Sequence, residues 1–246
     1  MRIGNSATYD FKYYWGKLVF FQSEIDLNFE AIYSLTKNTE ETFNQLKEKF
    51  KSKIIEDKYL NRQPNSIDDE IDQDQYYDHY YSWSEEILDQ MYSNLRKSIV
   101  LSIYSMIEGK MKRLCEIIEE KYDLSVKLND LNGTDLIKSW KYLTKVFGVD
   151  SKNIEPYFTV INQHKFVRNK IAHNDSVIDT KDIKKCRAKG LTMWPLVKDY
   201  ELKITDICYI EYLLNNGEKL FSELLKGIDR QYQIRRSINS RQKNQN

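Results

Sequence analysis

The run Arg168-Asn169-Lys170-Ile171-Ala172-His173 gathers three side chains suited to work on a phosphodiester. Arginine presents a planar fork of donors that matches phosphate oxygens. Histidine exchanges protons near neutral pH. A carboxamide can orient either neighbour or donate to a phosphate oxygen. In RNA the 2′-OH is an internal nucleophile beside the phosphate. Its attack needs a base, an acid for the leaving 5′ oxygen, and a cation to offset the added negative charge. The expected assignment has His173 moving protons, Arg168 binding phosphate and Asn169 orienting. DNA lacks the 2′-OH, so the expected substrate is RNA.

This chemistry calls for no metal, and the sequence suggests none. The three histidines are scattered, and Cys115, Cys186 and Cys208 form no CxxC pair. Neither a metal site nor another cofactor is expected. His164 lies on an apolar stripe and reads as a packed or hydrogen-bonded core histidine. His79 sits among acids and aromatics and reads as a surface residue.

Spacing sets a geometric condition. At about 100° per residue, Asn169 and His173 lie roughly 40° apart around a helix, whereas Arg168 and His173 lie about 140° apart. One helix end does not aim both at a single point directly. A second copy related by a two-fold axis would place two arginines and two histidines around one cleft.

The elements that must carry this motif are mostly helical. With 8 Gly and 3 Pro in 246 residues, the chain has few helix breakers. Apolar residues at helical spacing run from Tyr9 to about Leu35, and a polar break is expected at Thr36-Lys37-Asn38-Thr39. A second amphipathic helix is expected over Glu40–Leu60. The acidic, Pro64-containing stretch Asn61–Asp78 reads as a loop. A long helix should follow from about Ser82 to Tyr122, with a stripe including Ile87, Met91, Leu95, Ile99, Ile103 and Leu114. Thr134 or Asp135 should cap a helix that stops at Gly148. Ser151 or Asn153 should cap the motif helix, with Pro156 in its first turn and its end near His173. Asn174-Asp175-Ser176 is turn chemistry. Gly190–Val197 and Tyr200–Ile204 suggest a hairpin interrupted by Pro195. Asp206 should cap a last helix to about Lys226, followed by a polar, basic tail.

The formal net charge is +1, so any nucleic-acid contact must come from a local patch. Between Ser66 and Gln90 there are nine acidic residues and no Lys or Arg, whereas Lys165 to Lys189 holds eight basic residues against three aspartates. Lys165, Lys170, Lys181, Lys184, Lys185 and Arg187 are the candidate RNA contacts. Tyr76, Tyr77, Tyr80, Tyr81 and Trp83 cluster, and are read as bundle or interface packing more than base stacking. The N-terminus has no apolar leader-like region, and no stretch reaches the roughly 20 apolar residues of a membrane span. With three unpaired cysteines, the expectation is a soluble cytoplasmic protein.

The arginine, the polar residue after it and the histidine at a helix end together resemble the Arg-x4-6-His motif of the HEPN superfamily. The long preceding helix, with Ser102, Tyr104, Ser105 and Glu108, is similar to that family's earlier core helix, which often carries a carboxylate facing the motif. By this resemblance Glu108 braces Arg168 or Asn169. The likeness covers roughly Ser82 to Lys226. It implies a homodimeric, metal-independent endoribonuclease in a toxin–antitoxin, abortive-infection or other phage-defence system, with an antitoxin or activating protein as a further partner. Toxins of the family that pair with a nucleotidyltransferase antitoxin often carry a Tyr two residues after the His. Here that position is Asp175, so control by modifying such a Tyr is not supported.

The combined expectation is an all-α antiparallel, HEPN-like bundle with a small β-hairpin insertion, dimeric about a two-fold axis. Residues 1–80 form an N-terminal helical extension with an acidic loop, 81–228 the helical domain, and 229–246 a basic, disordered tail. Two other readings stand beside the ribonuclease: a non-catalytic RNA- or nucleotide-binding or regulatory module, and an interaction subunit whose Arg and His are structural.

Overall fold

The computed structural model describes the backbone of residues 15–60 and 67–243, and the side chains of residues 15–56, 75 and 81–238. The fold is mostly helical with one small three-stranded antiparallel sheet. Its helices are α1 (Gly16–Leu60), α2 (Ile67–Lys121), α3 (Asp135–Lys141, continuing through a wider π turn over Tyr142–Val146), α4 (Glu155–His173) and α5 (Cys208–Lys243). Its strands are β1 (Val177–Ile178), β2 (Leu191–Pro195) and β3 (Tyr200–Ile204), in the order β1-β3-β2.

α1 and α2 form a long antiparallel hairpin. Residue numbers rise along one helix as they fall along the other, through Lys17–Glu120, Lys110–Glu24, Arg96–Glu40 and Lys47–Asp89. The break expected at Thr36–Thr39 is absent, because Thr36 is buried and its hydroxyl donates back to Ile32 O at 2.7 Å. Just beyond it, Glu40 is anchored by Arg96 and Phe43 packs beside Tyr92, so tertiary contacts override weak local propensity.

The loop expected over Asn61–Asp78 is also corrected. Residues 61–66, with Pro64, lie outside the described residues, and the backbone is helical from Ile67 onward. A boundary near residue 80 thus falls inside α2. Phe11 and the side chains of Tyr76, Tyr77, His79 and Tyr80 lie outside the described residues, while Tyr81 is buried and Trp83 exposed. The expected α2 stripe divides. Ile99, Ile103, Met111, Leu114 and Ile118 are buried, but Ile87, Met91 and Leu95 are exposed.

One continuous core joins Trp15, just before α1, and Leu18, Phe21, Ile25 and Phe29 in its first turns to α2, α3, α4, the sheet and α5. The N-terminal helix therefore builds the same core that supports the motif helix. The tail expected to be disordered from residue 229 is helical to Lys243. Ile228 and Asp229 are buried, and Arg235 lies over Phe147 and donates to its carbonyl. In that tail the backbone of residues 244–246 and the side chains of residues 239–246 fall outside the described residues.

The caps were partly legible. Asp206 Oδ1 accepts from Cys208 N at 2.8 Å, which starts α5 and holds that carboxyl below its usual range. Neither Ser151 nor Asn153 caps α4 with its side chain. Buried Ile154 occupies the cap, and Ser151 O accepts from the amides of Ile154 and Glu155. Pro156 sits in the first turn, where its missing N–H costs nothing.

The sheet fixes the far end of α4. Asn174 N and Ser176 N both donate to Lys170 O, and Asp175 and Ser176 adopt φ of 47° and 67°. This left-handed pair stops the helix one residue after His173. Val177–Ile178 then pairs with Tyr200 and Glu201 of β3, a third strand beyond the expected hairpin. β3 is tied to α2 by Arg96 Nη1 donating to Ile204 O and by the ion pair Lys97–Glu201.

Candidate functional site

α4 packs its Phe158, Ile161 and Val167 into the core, so its remaining faces are assigned by rotation. Tyr104 of α2 fixes that rotation. Its buried hydroxyl donates to Ile161 O at 2.8 Å, which turns Lys165 and Arg168 toward the next turn of α2, at Glu108. Glu108, which the resemblance offered as a brace for Arg168 or Asn169, lies against Arg168 and Lys165. Glu108 is shared: one carboxylate oxygen accepts from Lys165 Nζ, and the other lies 3.5 Å from Arg168 Nη2.

The Arg168 guanidinium is thus held but not saturated. Nη1 donates to Asn169 Oδ1 at 3.0 Å, Nη2 makes only the long contact, and Nε is buried without a partner. A quarter of the side chain remains exposed. Two cations around one carboxylate leave a local charge of about +1. Because Asn169 spends its carbonyl on Arg168, its amide hydrogens stay available to an anion.

His173 is exposed at the last residue of α4 and has no hydrogen-bond or ionic partner among the described residues. Around the axis it is about 140° from Arg168 and about 7 Å further along. The structure therefore brings Arg168, Asn169 and Glu108 together but does not converge His173 and Arg168 within one copy. The adjoining Asp175 and Ser176 hold non-glycine residues in a conformation that costs on the order of 1 kcal/mol each, next to the imidazole.

The candidate RNA contacts separate into two sets. Lys165 is spent on Glu108, and Lys170 pairs with Asp179 while lying over Phe166. Lys185 pairs with Asp182 and also covers Phe166. Lys181, Lys184 and Arg187 are exposed on or just after the short 3-10 helix Thr180–Cys186 and carry no ion pair among the described residues. That helix packs on α4, so these free cations share its surface.

His164, expected as a packed or hydrogen-bonded core histidine, is both packed and hydrogen-bonded, though only half-buried, with Nδ1 at 3.2 Å from Tyr209 Oη and its ring against Tyr209 and Tyr212 of α5. Burial pushes its imidazole below the ordinary histidine range.

Among the described residues, no three His, Cys, Asp or Glu side chains cluster as a metal site, and no helix is long and apolar enough to cross a membrane. No family model, curated protein or solved structure significantly matches the chain.

Proposed function

We propose that this protein is a metal-independent endoribonuclease of HEPN type, acting as a homodimeric toxin or phage-defence effector in the cytoplasm. The observation that carries this reading is the partly exposed guanidinium of Arg168, held by Glu108 and Asn169 on the helix end that also carries an exposed imidazole on another face. Arg96, by contrast, has a partner on each of its three nitrogens, two on Glu40 and one on Ile204 O. Arg168 keeps a partly exposed edge and net charge for an anion, although its Nε is buried.

In the reaction, Arg168 and the Asn169 amide bind the scissile phosphate. The 2′ oxygen attacks phosphorus as a base removes its proton, the P–O5′ bond breaks, and an acid protonates the departing O5′. The products are a 2′,3′-cyclic phosphate and a 5′-OH. Arg168 offsets the charge of the pentavalent state. The angle between Arg168 and His173 favours a two-fold dimer, in which His173 of one copy serves the phosphate held by the other. Lys181, Lys184 and Arg187 supply sequence-independent phosphate contacts.

A second reading, a non-catalytic RNA-binding or regulatory module, draws on the same angle: a monomer would bind through its free cations without turnover. The two part in one experiment. Purified protein is incubated with RNA in chelator and the product ends are analysed. Cleavage leaving cyclic phosphate, lost in Arg168→Ala and His173→Gln, supports the enzyme; binding without cleavage supports the module and removes the enzyme.

A further inference from the structure

Two exposed surfaces at opposite ends of the molecule complement each other in charge. One lies on the arm of α2 that precedes its contacts with β3. There Trp83, Ile87, Met91 and Leu95 follow one another at four-residue spacing, and all are exposed, so they form one apolar stripe. α1 packs on another side of this arm, with Phe43 beside Tyr92 and Lys47 paired with Asp89. Residues 67–95 hold nine acidic side chains and no Lys or Arg, and Glu85 and Glu86 stand exposed near the stripe. The other surface is the end of α5. Arg230, Ile234 and Ile238 are exposed there at the same spacing, with Ser237 between the isoleucines. Residues 230–243 hold five basic side chains and no acidic one.

The two surfaces do not meet within one chain. α5 runs beside α2 in the same direction, with Gly217 against Ile107 and Tyr232 under the Lys121 ammonium. Leu95 and Lys121 lie about 39 Å apart along α2, and α5 continues past that point. We propose that the stripe Trp83–Leu95 docks on the end of α5 of a second copy, and that the exchange is reciprocal, in an antiparallel two-fold pair. An exposed apolar stripe of this length calls for cover. Charge selects what covers it. Two acidic arms side by side repel, whereas the end of α5 joins exposed isoleucines to a run of positive charge.

An axis that relates arm to tail passes midway between them, beside Ser105 of α2. Ser102, Ser105 and Gly109 are exposed at this level, and a Cβ on Gly109 would meet nothing within 4 Å, so two α2 helices can approach closely where they cross. Glu108, holding Lys165 and Arg168, belongs to the same turn. The pair rests on the homodimer of the ribonuclease reading and gives it a surface, and association tests that surface without RNA.

Charge reversal supplies the test. Sedimentation of the wild type should show a dimer whose dissociation constant rises with salt. Glu85→Lys with Glu86→Lys on the arm, or Arg230→Glu with Ser237→Glu on the tail, should each weaken association about tenfold or more, with circular dichroism and melting unchanged. Ile87→Ser with Met91→Ser should do the same without a change of charge. Equal mixing of the arm-reversed and tail-reversed proteins should restore wild-type affinity, because the reversed arm meets the reversed tail and the two native ends meet each other. A wild type that is monomeric at about 100 µM overturns the inference and leaves the stripe to a partner of another sequence. Unchanged association after either reversal, or no recovery on mixing, overturns it as well. Species that keep growing with concentration would mean open head-to-tail stacking and reject the two-fold pair. RNA cleavage by a protein whose association ignores these charges keeps the ribonuclease reading and rejects this surface; a dimer that obeys them without cleaving RNA does the reverse.

Discussion

Two arginine–glutamate pairs bind helices to α2, and they are built for different ends. Arg96 meets Glu40 through two short hydrogen bonds, 2.7 and 2.6 Å, and spends a third donor on Ile204 O. Its side chain is 12% exposed and that of Glu40 15%. Arg168 meets Glu108 through one 3.5 Å contact, leaves Nε unpartnered, and shares the carboxylate with Lys165. All three Arg96 nitrogens have partners, and its fork locks α1, α2 and β3 together. Arg168 is oriented, and a quarter of its side chain stays open to solvent. The difference teaches that a guanidinium–carboxylate contact is a structural clamp or a primed anion site according to how many donors the fold consumes.

The largest separation should come from removing each arginine. Arg168→Ala should abolish RNA cleavage by about 1,000-fold while shifting the melting temperature only slightly, as expected for loss of a preorganised phosphate donor. Arg96→Ala should leave cleavage per folded molecule unchanged and cost about 3 kcal/mol of stability, because Glu40 is left without its partner. Kinetics beside chemical denaturation reads both. Equal effects of the two substitutions would erase the distinction.

Glu108→Gln should split affinity from rate. Removing the only carboxylate among the two cations should tighten RNA binding and steepen the salt dependence by about one unit of slope. The freed Arg168 loses its brace, so kcat should fall about tenfold. Filter binding across a salt series and single-turnover cleavage measure the two effects, and a rise in kcat would show that Glu108 restrains the site instead of positioning it.

Lys165→Met should make the site resemble the Arg96 clamp. With its competitor gone, Glu108 can accept from Arg168 with both oxygens, so cleavage should fall severalfold although Lys165 touches no substrate in this account. Unchanged cleavage would mean that Lys165 does not hold Glu108 back from Arg168.

The smallest effect concerns His164. Its pKa is lowered by burial, so below the unfolded value of about 6.5 the unfolded chain binds more protons than the native one. Stability contributed by neutral His164 is therefore present above pH about 6.5 and is lost as pH falls through the folded value. His164→Gln should flatten that part of the stability–pH curve in urea titrations, while His173→Gln, at an exposed position, serves as the comparison.

Legibility in the sequence followed the reach of the interactions. The stop of α4 at His173 was readable because Asn174-Asp175-Ser176 encodes a turn locally. The start of α5 was readable because Asp206 caps its own neighbour. The continuity of α1 through Thr36–Thr39 was not, since it depends on Glu40 meeting an arginine 56 residues away. The helical tail was not readable either: Arg235 finds Phe147 from the other side of the fold. In the candidate site, Arg168, Asn169 and His173 stand out by residue type and spacing, and Glu108 only by the family resemblance. The sharing of Glu108 with Lys165, the anchoring of His164 by Tyr209 and the pairing of Lys170 with Asp179 belong to tertiary geometry.

The central claim is that the partly exposed Arg168 guanidinium receives a phosphate. The direct measurement is single-turnover cleavage of RNA in chelator by the wild type and by Arg168→Ala, both shown to be folded, with product ends identified. The account expects cyclic-phosphate products from the wild type and essentially none from the variant; equal cleavage by both, or intact RNA with both, would contradict it.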